Sequence, residues 1–113
     1  MTPYASISTH VLDLVHGEPA RGVPVRLEHE HDGVWSVVAQ GRTDADGRLR
    51  AWAPAAAWRA GAYRLVFSVA DHLGDDDTLF PEVTVTFRVR DPDRHHHVPL
   101  LLSPYGYTTY RGS

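Results

Sequence analysis

The chain has 113 residues, one domain's worth of polypeptide, with a formal net charge of −3 and no cysteine. The missing thiols exclude a disulfide framework, a thiolate zinc centre and a cysteine nucleophile, and they fit a reducing, cytoplasmic compartment. No Lys/Arg cluster marks a nucleic-acid footprint, and the longest apolar stretch, eight residues from Ala51 to Trp58 that include Pro54, falls far short of the roughly 20 that a membrane helix takes.

The start, Met1 to Ser6, has neither a basic region nor an apolar core, so no secretory leader is expected. Strand patterns follow. Residues 7–13 form a short strand candidate with Ser8, His10 and Leu12 on one face and Ile7, Thr9 and Val11 on the other; the alternation alone leaves open which face is core. Val23, Val25 and Leu27 alternate with Pro24, Arg26 and Glu28, and residues 35–42 give a second short candidate. A weaker strand starts near Leu49. Residues 54–61 differ: alanine-rich, opened by Pro54 and closed by Gly61, they predict a helix of one or two turns. Tyr63, Leu65, Phe67 and Val69 then alternate with Ala62, Arg64, Val66 and Ser68; residues 71–79 read as loop; and Val83, Val85, Phe87 and Val89 alternate with polar neighbours. In the last candidate, residues 97–102, Val98, Leu100 and Leu102 face the core while His97, Pro99 and Leu101 face away. Seven or eight short strands separated by turns such as Asp32-Gly33, Asp44-Ala45-Asp46-Gly47 and Asp91-Pro92-Asp93 predict an all-β, two-sheet sandwich with one short helix, a single domain over 1–113.

Histidine, with eight copies, is the unusual residue, and it is the side chain that titrates nearest neutral pH. His10 shares a face of the first strand with Ser8 and Leu12. His95 and His97 share a face by period two, but a zinc site takes a third protein ligand and none is apparent, so no metal is expected. Asp44-Ala45-Asp46-Gly47 looks like a calcium loop, yet the twelfth position of an EF-hand starting at Asp44 is Ala55, so a turn is the better reading. That turn leaves Arg48 at a strand start, where a guanidinium can hold a planar, electron-rich ligand.

Several of these segments together resemble a known family. Pro99-Leu100-Leu101-Leu102-Ser103-Pro104-Tyr105-Gly106-Tyr107, closing on Tyr110-Arg111-Gly112-Ser113, is similar to the C-terminal signature of 5-hydroxyisourate hydrolases, and Ser8-Thr9-His10-Val11-Leu12-Asp13 to their N-terminal one. Asp46-Gly47-Arg48 and Phe80-Pro81-Glu82-Val83-Thr84-Val85 match as well; the stretch 71–79 is a few residues shorter than in many relatives. The resemblance implies a transthyretin-like sandwich and a homotetramer whose central channel carries the active sites. It also implies hydrolysis of the N1–C6 ring amide of 5-hydroxyisourate to 2-oxo-4-hydroxy-4-carboxy-5-ureidoimidazoline, in urate breakdown, without metal or organic cofactor. It carries His10, Arg48 and His97 over as catalytic, and Tyr110, Arg111, Gly112 and Ser113, with the terminal carboxylate, as the residues that close on substrate. His97 is taken as the base and His10 as the residue that positions water, with the reverse assignment left open. His95 and His96 are expected to matter less. The competing readings are a non-enzymatic carrier of small aromatic ligands and a structural sandwich module; neither has a use for these histidines, Arg48 and the Tyr-Arg-Gly-Ser ending together.

Overall fold

The structure is a computed structural model that describes residues 3–113; Met1 and Thr2, part of the start read above as lacking a leader, lie outside the described residues. Two sheets face each other. One has the order β4-β3-β6-β7, from β3 (Pro24–His31), β4 (Val34–Arg42), β6 (Gly61–Ser68) and β7 (Glu82–Val89), antiparallel throughout. The other is organised around β1 (Ile7–Asp13), flanked by β2 (Glu18–Pro19) on one side and, in parallel, by β9 (Leu100–Ser103) on the other, with β10 (Gly106–Thr109) at the edge beyond β9. Two-residue strands β5 (Arg48–Leu49) and β8 (His96–His97) also pair with β1. Among the described residues no helix is long and apolar enough to cross a membrane.

Period-two alternation decides what fills the space between the sheets. Ile7 and Val11 of β1 and Leu100 and Leu102 of β9 meet Val25, Leu27, Tyr63, Leu65, Phe67, Val83 and Val89 from the opposite sheet, all buried. Each such aliphatic side chain contributes about 1.5–3 kcal/mol of transfer free energy. Thr9, fully buried in this core, donates its hydroxyl to the Val98 carbonyl at 2.6 Å. The core face of β1 is thus Ile7, Thr9 and Val11, and Ser8, His10 and Leu12 point away from it.

Four expectations change. The alanine-rich stretch 54–61 forms only a single 3-10 turn, Ala55–Ala57, and the one α-helix among the described residues, α1 (Ala70–Leu73), lies in the segment read as a loop. The physical reason is tertiary: Tyr63 Oη accepts the Arg59 N–H and donates to the Ala57 carbonyl, and the Trp58 indole donates to the Pro92 carbonyl. These contacts hold the segment as a single turn, and a helix of one or two turns has little stability of its own to oppose them. The predicted strand 97–102 is interrupted at Val98 and Pro99, which separate β8 from β9. A proline has no N–H for a ladder. Pro99 is also buried rather than free to face outward.

Candidate active site

The site lies on the outer face of β1, where three local devices converge. The first is the turn before β5. The Asp44 carboxylate accepts the N–H groups of Asp46 at 2.8 Å and Arg48 at 3.0 Å. The bond from the Arg48 N–H is the main cause that holds the Asp44 carboxyl below its usual pKa. Gly47 completes the turn at φ +73°, a left-handed conformation that suits glycine, and a Cβ there would also strike the Val11 carbonyl. The result sets Arg48 directly opposite His10 in the β1–β5 pairing.

The second device is the parallel pairing of β8 with β1, which sets His97 opposite Ser8 and His96 opposite Ile7. His96 turns inward. It is buried, it packs edge-on against Trp58 with ring centroids 5.7 Å apart, and its Nδ1–H donates to the Arg94 carbonyl at 2.8 Å. His97 turns outward, and its Nδ1 lies 2.8 Å from Ser8 Oγ.

The third device is the C-terminal segment. Gly112 forms a bridge with His97, donating its N–H to the His97 carbonyl at 2.8 Å. A Cβ on Gly112 would overlap the His97 ring at Cδ2, so the close approach requires glycine. Arg111 donates from Nη2 to the His95 carbonyl at 3.4 Å.

These devices leave a recess of about 370 Å³ lined by Ser8, Thr9, Arg48, Arg50, His95, His97 and Ser113. Of the residues expected in the site, Arg48, His97 and Ser113 line it. His10 stands beside it: its Nε2–H donates to the Asp46 carbonyl at 2.9 Å, which leaves Nδ1 as its acceptor. Arg111 and Gly112 line an adjoining recess with Arg94, His95 and Ser113. Tyr110 lies elsewhere, in a cavity with Val85, Phe87 and Val98.

The electrostatics favour a neutral base. Burial pushes the His97 imidazole below its usual pKa, and the Arg48 guanidinium and the His95 and His10 rings push the same way. No described residue hydrogen-bonds His97 Nε2, and among the described residues no buried side-chain nitrogen or oxygen lacks a partner. Nε2 is therefore accessible and bare, as a proton acceptor has to be. Ser8, His95, Thr9 and Arg50 line the recess without having been assigned to the site from the sequence. A signal for the first two existed: Ser8 shares a strand face with His10, and His95 shares one with His97.

The chain matches the HIUase/Transthyretin family over residues 7–112. It is 46% identical over 109 residues to a 5-hydroxyisourate hydrolase of Salmonella typhimurium, covering 95% of this chain and 80% of that protein. Among solved structures, a Klebsiella pneumoniae 5-hydroxyisourate hydrolase is 35% identical, with a TM-score of 0.81 over 95% of this chain and 98% of the other. Sea bream transthyretin, solved with thyroxine, is 30% identical with a TM-score of 0.87 over 95% and 94%. Hydrolase and transthyretin backbones thus both superimpose well, and function has to be read from the site. With the family matched across nearly its full length, the chain belongs to the HIUase/Transthyretin family.

Proposed function

We propose that this protein hydrolyses 5-hydroxyisourate at its N1–C6 ring amide, giving 2-oxo-4-hydroxy-4-carboxy-5-ureidoimidazoline. The observation that carries the reading is His97: a half-buried imidazole, held toward its neutral form, whose bare Nε2 shares a recess with the Arg48 guanidinium. Water in that recess gives a proton to Nε2 as its oxygen bonds the carbonyl carbon. Arg48 donates to the oxyanion that forms, a contribution of about 10²–10³ for one such donor. His10, its Nε2–H committed to Asp46, offers Nδ1 to orient the water. Collapse breaks the C–N bond, and the ring nitrogen takes the proton from His97. Gly112 and Ser113 close the recess beside substrate, Arg111 anchors that segment on the His95 carbonyl, and Tyr110, whose ring lines a separate cavity, precedes the segment in the chain. Every step uses the chain's own residues and water, and we propose no cofactor. The absence of cysteine supports a cytoplasmic setting.

We further propose a homotetramer. β7 and β10 are the edges of their sheets, and Tyr105, Tyr107 and Tyr110 are exposed on and beside β10. Unpaired edges with exposed aromatics are suited to pairing with another copy, and tetramers are commonly dimers of dimers.

The test is a spectrophotometric assay with freshly generated 5-hydroxyisourate, alongside light scattering. Accelerated decay by a species of about four chains is the expected result. Ligand binding without turnover would favour a carrier, and a fully active monomer would remove the tetramer.

A further inference from the structure

Three side chains that line the recess, with Ser6 beyond them, form one hydrogen-bonded chain. Ser8 Oγ lies 2.8 Å from His97 Nδ1 and 2.8 Å from His95 Nε2, and His95 Nδ1 lies 2.9 Å from Ser6 Oγ. The two imidazoles are nearly parallel, 18° apart, with centroids at 6.5 Å. Ser8 itself is buried and fixed by the β1–β8 pairing, whereas His95 is exposed. Nothing in the catalytic steps above uses Ser6, Ser8 or His95.

A serine hydroxyl has one hydrogen to give, so the direction of the chain is coupled to the tautomer of each ring. If Nε2 of His97 is to accept a proton from water, Nδ1 carries the hydrogen and donates it to Ser8. The Ser8 hydroxyl then donates to His95 Nε2, and His95 Nδ1–H donates to Ser6. Every donor is matched with an acceptor, and each step enforces the next.

We propose that Ser8 and His95 are positioning residues for His97, holding it as the Nδ1–H tautomer and taking up its positive charge while the tetrahedral intermediate exists. As water's proton arrives at Nε2, the Nδ1 proton passes to Ser8 Oγ, and the Ser8 hydroxyl proton passes to His95 Nε2. Two N–H or O–H bonds break, two form, and the cation moves from His97 to His95. The reverse transfer returns it when the ring nitrogen collects its proton. The charge moves toward solvent: both rings share the recess with Arg48, but His97 is half-buried and His95 is open to water. The groups facing the pair are Arg48 and Arg50 from the β5 segment, His10 on β1, Arg94 from the segment before β8, and Arg111 and Ser113 from the C-terminal segment.

The inference rests on the hydrolase reading for its kinetics, so the test joins a measurement made without substrate to one made with it. Nitrogen-15 NMR of the intact protein reads the His97 tautomer directly. The expected result is Nδ1–H in the parent protein and a shift toward Nε2–H in Ser8→Ala and His95→Ala. Each of these lowers kcat by roughly tenfold, a part of what acid–base catalysis supplies, with KM within about twofold. His95→Gln keeps an acceptor for the Ser8 hydroxyl but takes no proton, so it retains the Nδ1–H tautomer, lowers kcat and alters the pH–rate profile. His95 is exposed, so its variants carry little risk to folding if Ser8→Ala is unstable. A parent His97 in the Nε2–H form overturns the proposal, as do Ser8→Ala and His95→Ala variants with unchanged tautomer, kcat and pH profile. His95→Gln at full kcat overturns the charge transfer. A parent protein inactive toward 5-hydroxyisourate sinks the hydrolase reading, and the tautomer result still decides whether the chain orients His97.

Discussion

Gly112 packs against the edge of the His97 ring so closely that it can carry no side chain, and its N–H is bonded to the His97 carbonyl at 2.8 Å. The C-terminal segment is thereby a wall of the recess and a brace for the imidazole. Gly112→Ala is expected to displace either the ring or the segment and to lower kcat/KM by roughly 10-fold or more, since small misplacements at a reacting centre are costly. Removal of residues 110–113 is expected to abolish most turnover. Both variants should melt close to the parent, because the buried core between the sheets does not include these residues. An active, folded truncation would show that the segment is no part of the site.

The three histidines His10, His96 and His97 divide by facing. His97→Ala and His10→Ala are each expected to lower the rate by roughly 10²-fold or more, with little change in melting. His96→Ala should instead lower stability, because the ring is buried against Trp58 and bonded to the Arg94 carbonyl, and should affect kcat less. Steady-state kinetics and thermal melts of all three separate the two effects. An inactive His96→Ala beside an active His97→Ala would reverse the assignment.

The pH–rate profile follows from the same base. A protonated His97 has no lone pair at Nε2, so kcat/KM is expected to fall as pH drops through its pKa. Burial first, and then Arg48, depress that pKa below 6.5, so the acid limb should lie below the ordinary imidazole value. Arg48→Gln, which removes the guanidinium charge, should move the limb upward as well as lowering the rate. A limb that stays in place in this variant would mean that another group titrates.

Asp13, at the far end of β1, is a test of stability rather than of chemistry. Burial raises its pKa, but hydrogen bonds from the His16 and His72 rings and from the His16 and Val15 N–H groups outweigh that and hold it at about 2. Its folded pKa is below the unfolded value of about 3.8, so its contribution is present above that value and is lost as pH falls toward 2. His16 has the opposite sign: its pKa is raised, chiefly by the hydrogen bond to Asp13, so its contribution is full below 6.5 and fades as pH rises through the folded value. The cluster stabilises most between about pH 4 and 6.5. Asp13→Ala is expected to cost about 1–3 kcal/mol in denaturant unfolding near pH 6, because the Val15 and His16 N–H groups lose their acceptor, and the deficit should shrink toward pH 2. A deficit that does not change with acid would show that packing, not charge, is what the aspartate supplies.

How much of this was legible in the sequence varies with the range of the interaction involved. The long strands were, because a side chain every second residue either enters the core or does not: Tyr63, Leu65 and Phe67 are fully buried, and Val25 and Leu27 are buried with them. The Asp44–Gly47 turn and the outward face of His97 were readable for the same local reason. The family signatures pointed to His10, Arg48, His97 and Gly112 before any coordinates did.

Tertiary structure decided the rest. The alanine-rich stretch has helix propensity, but Tyr63 and Trp58 draw its carbonyl and indole groups into contacts that leave a single turn. Which face of β1 meets the core was undetermined because Thr9 and Ser8 are both small hydroxyl residues; Val98, 89 positions away, supplies the acceptor that lets Thr9 be the one that faces the core. Ser8 and His95 are separated by 87 positions, and only the parallel pairing of β8 with β1 brings them within 2.8 Å. Sequence alternation specifies which way a side chain faces on its own strand. Which distant side chain it meets there depends on strand register, and register is set by the packing of both sheets together.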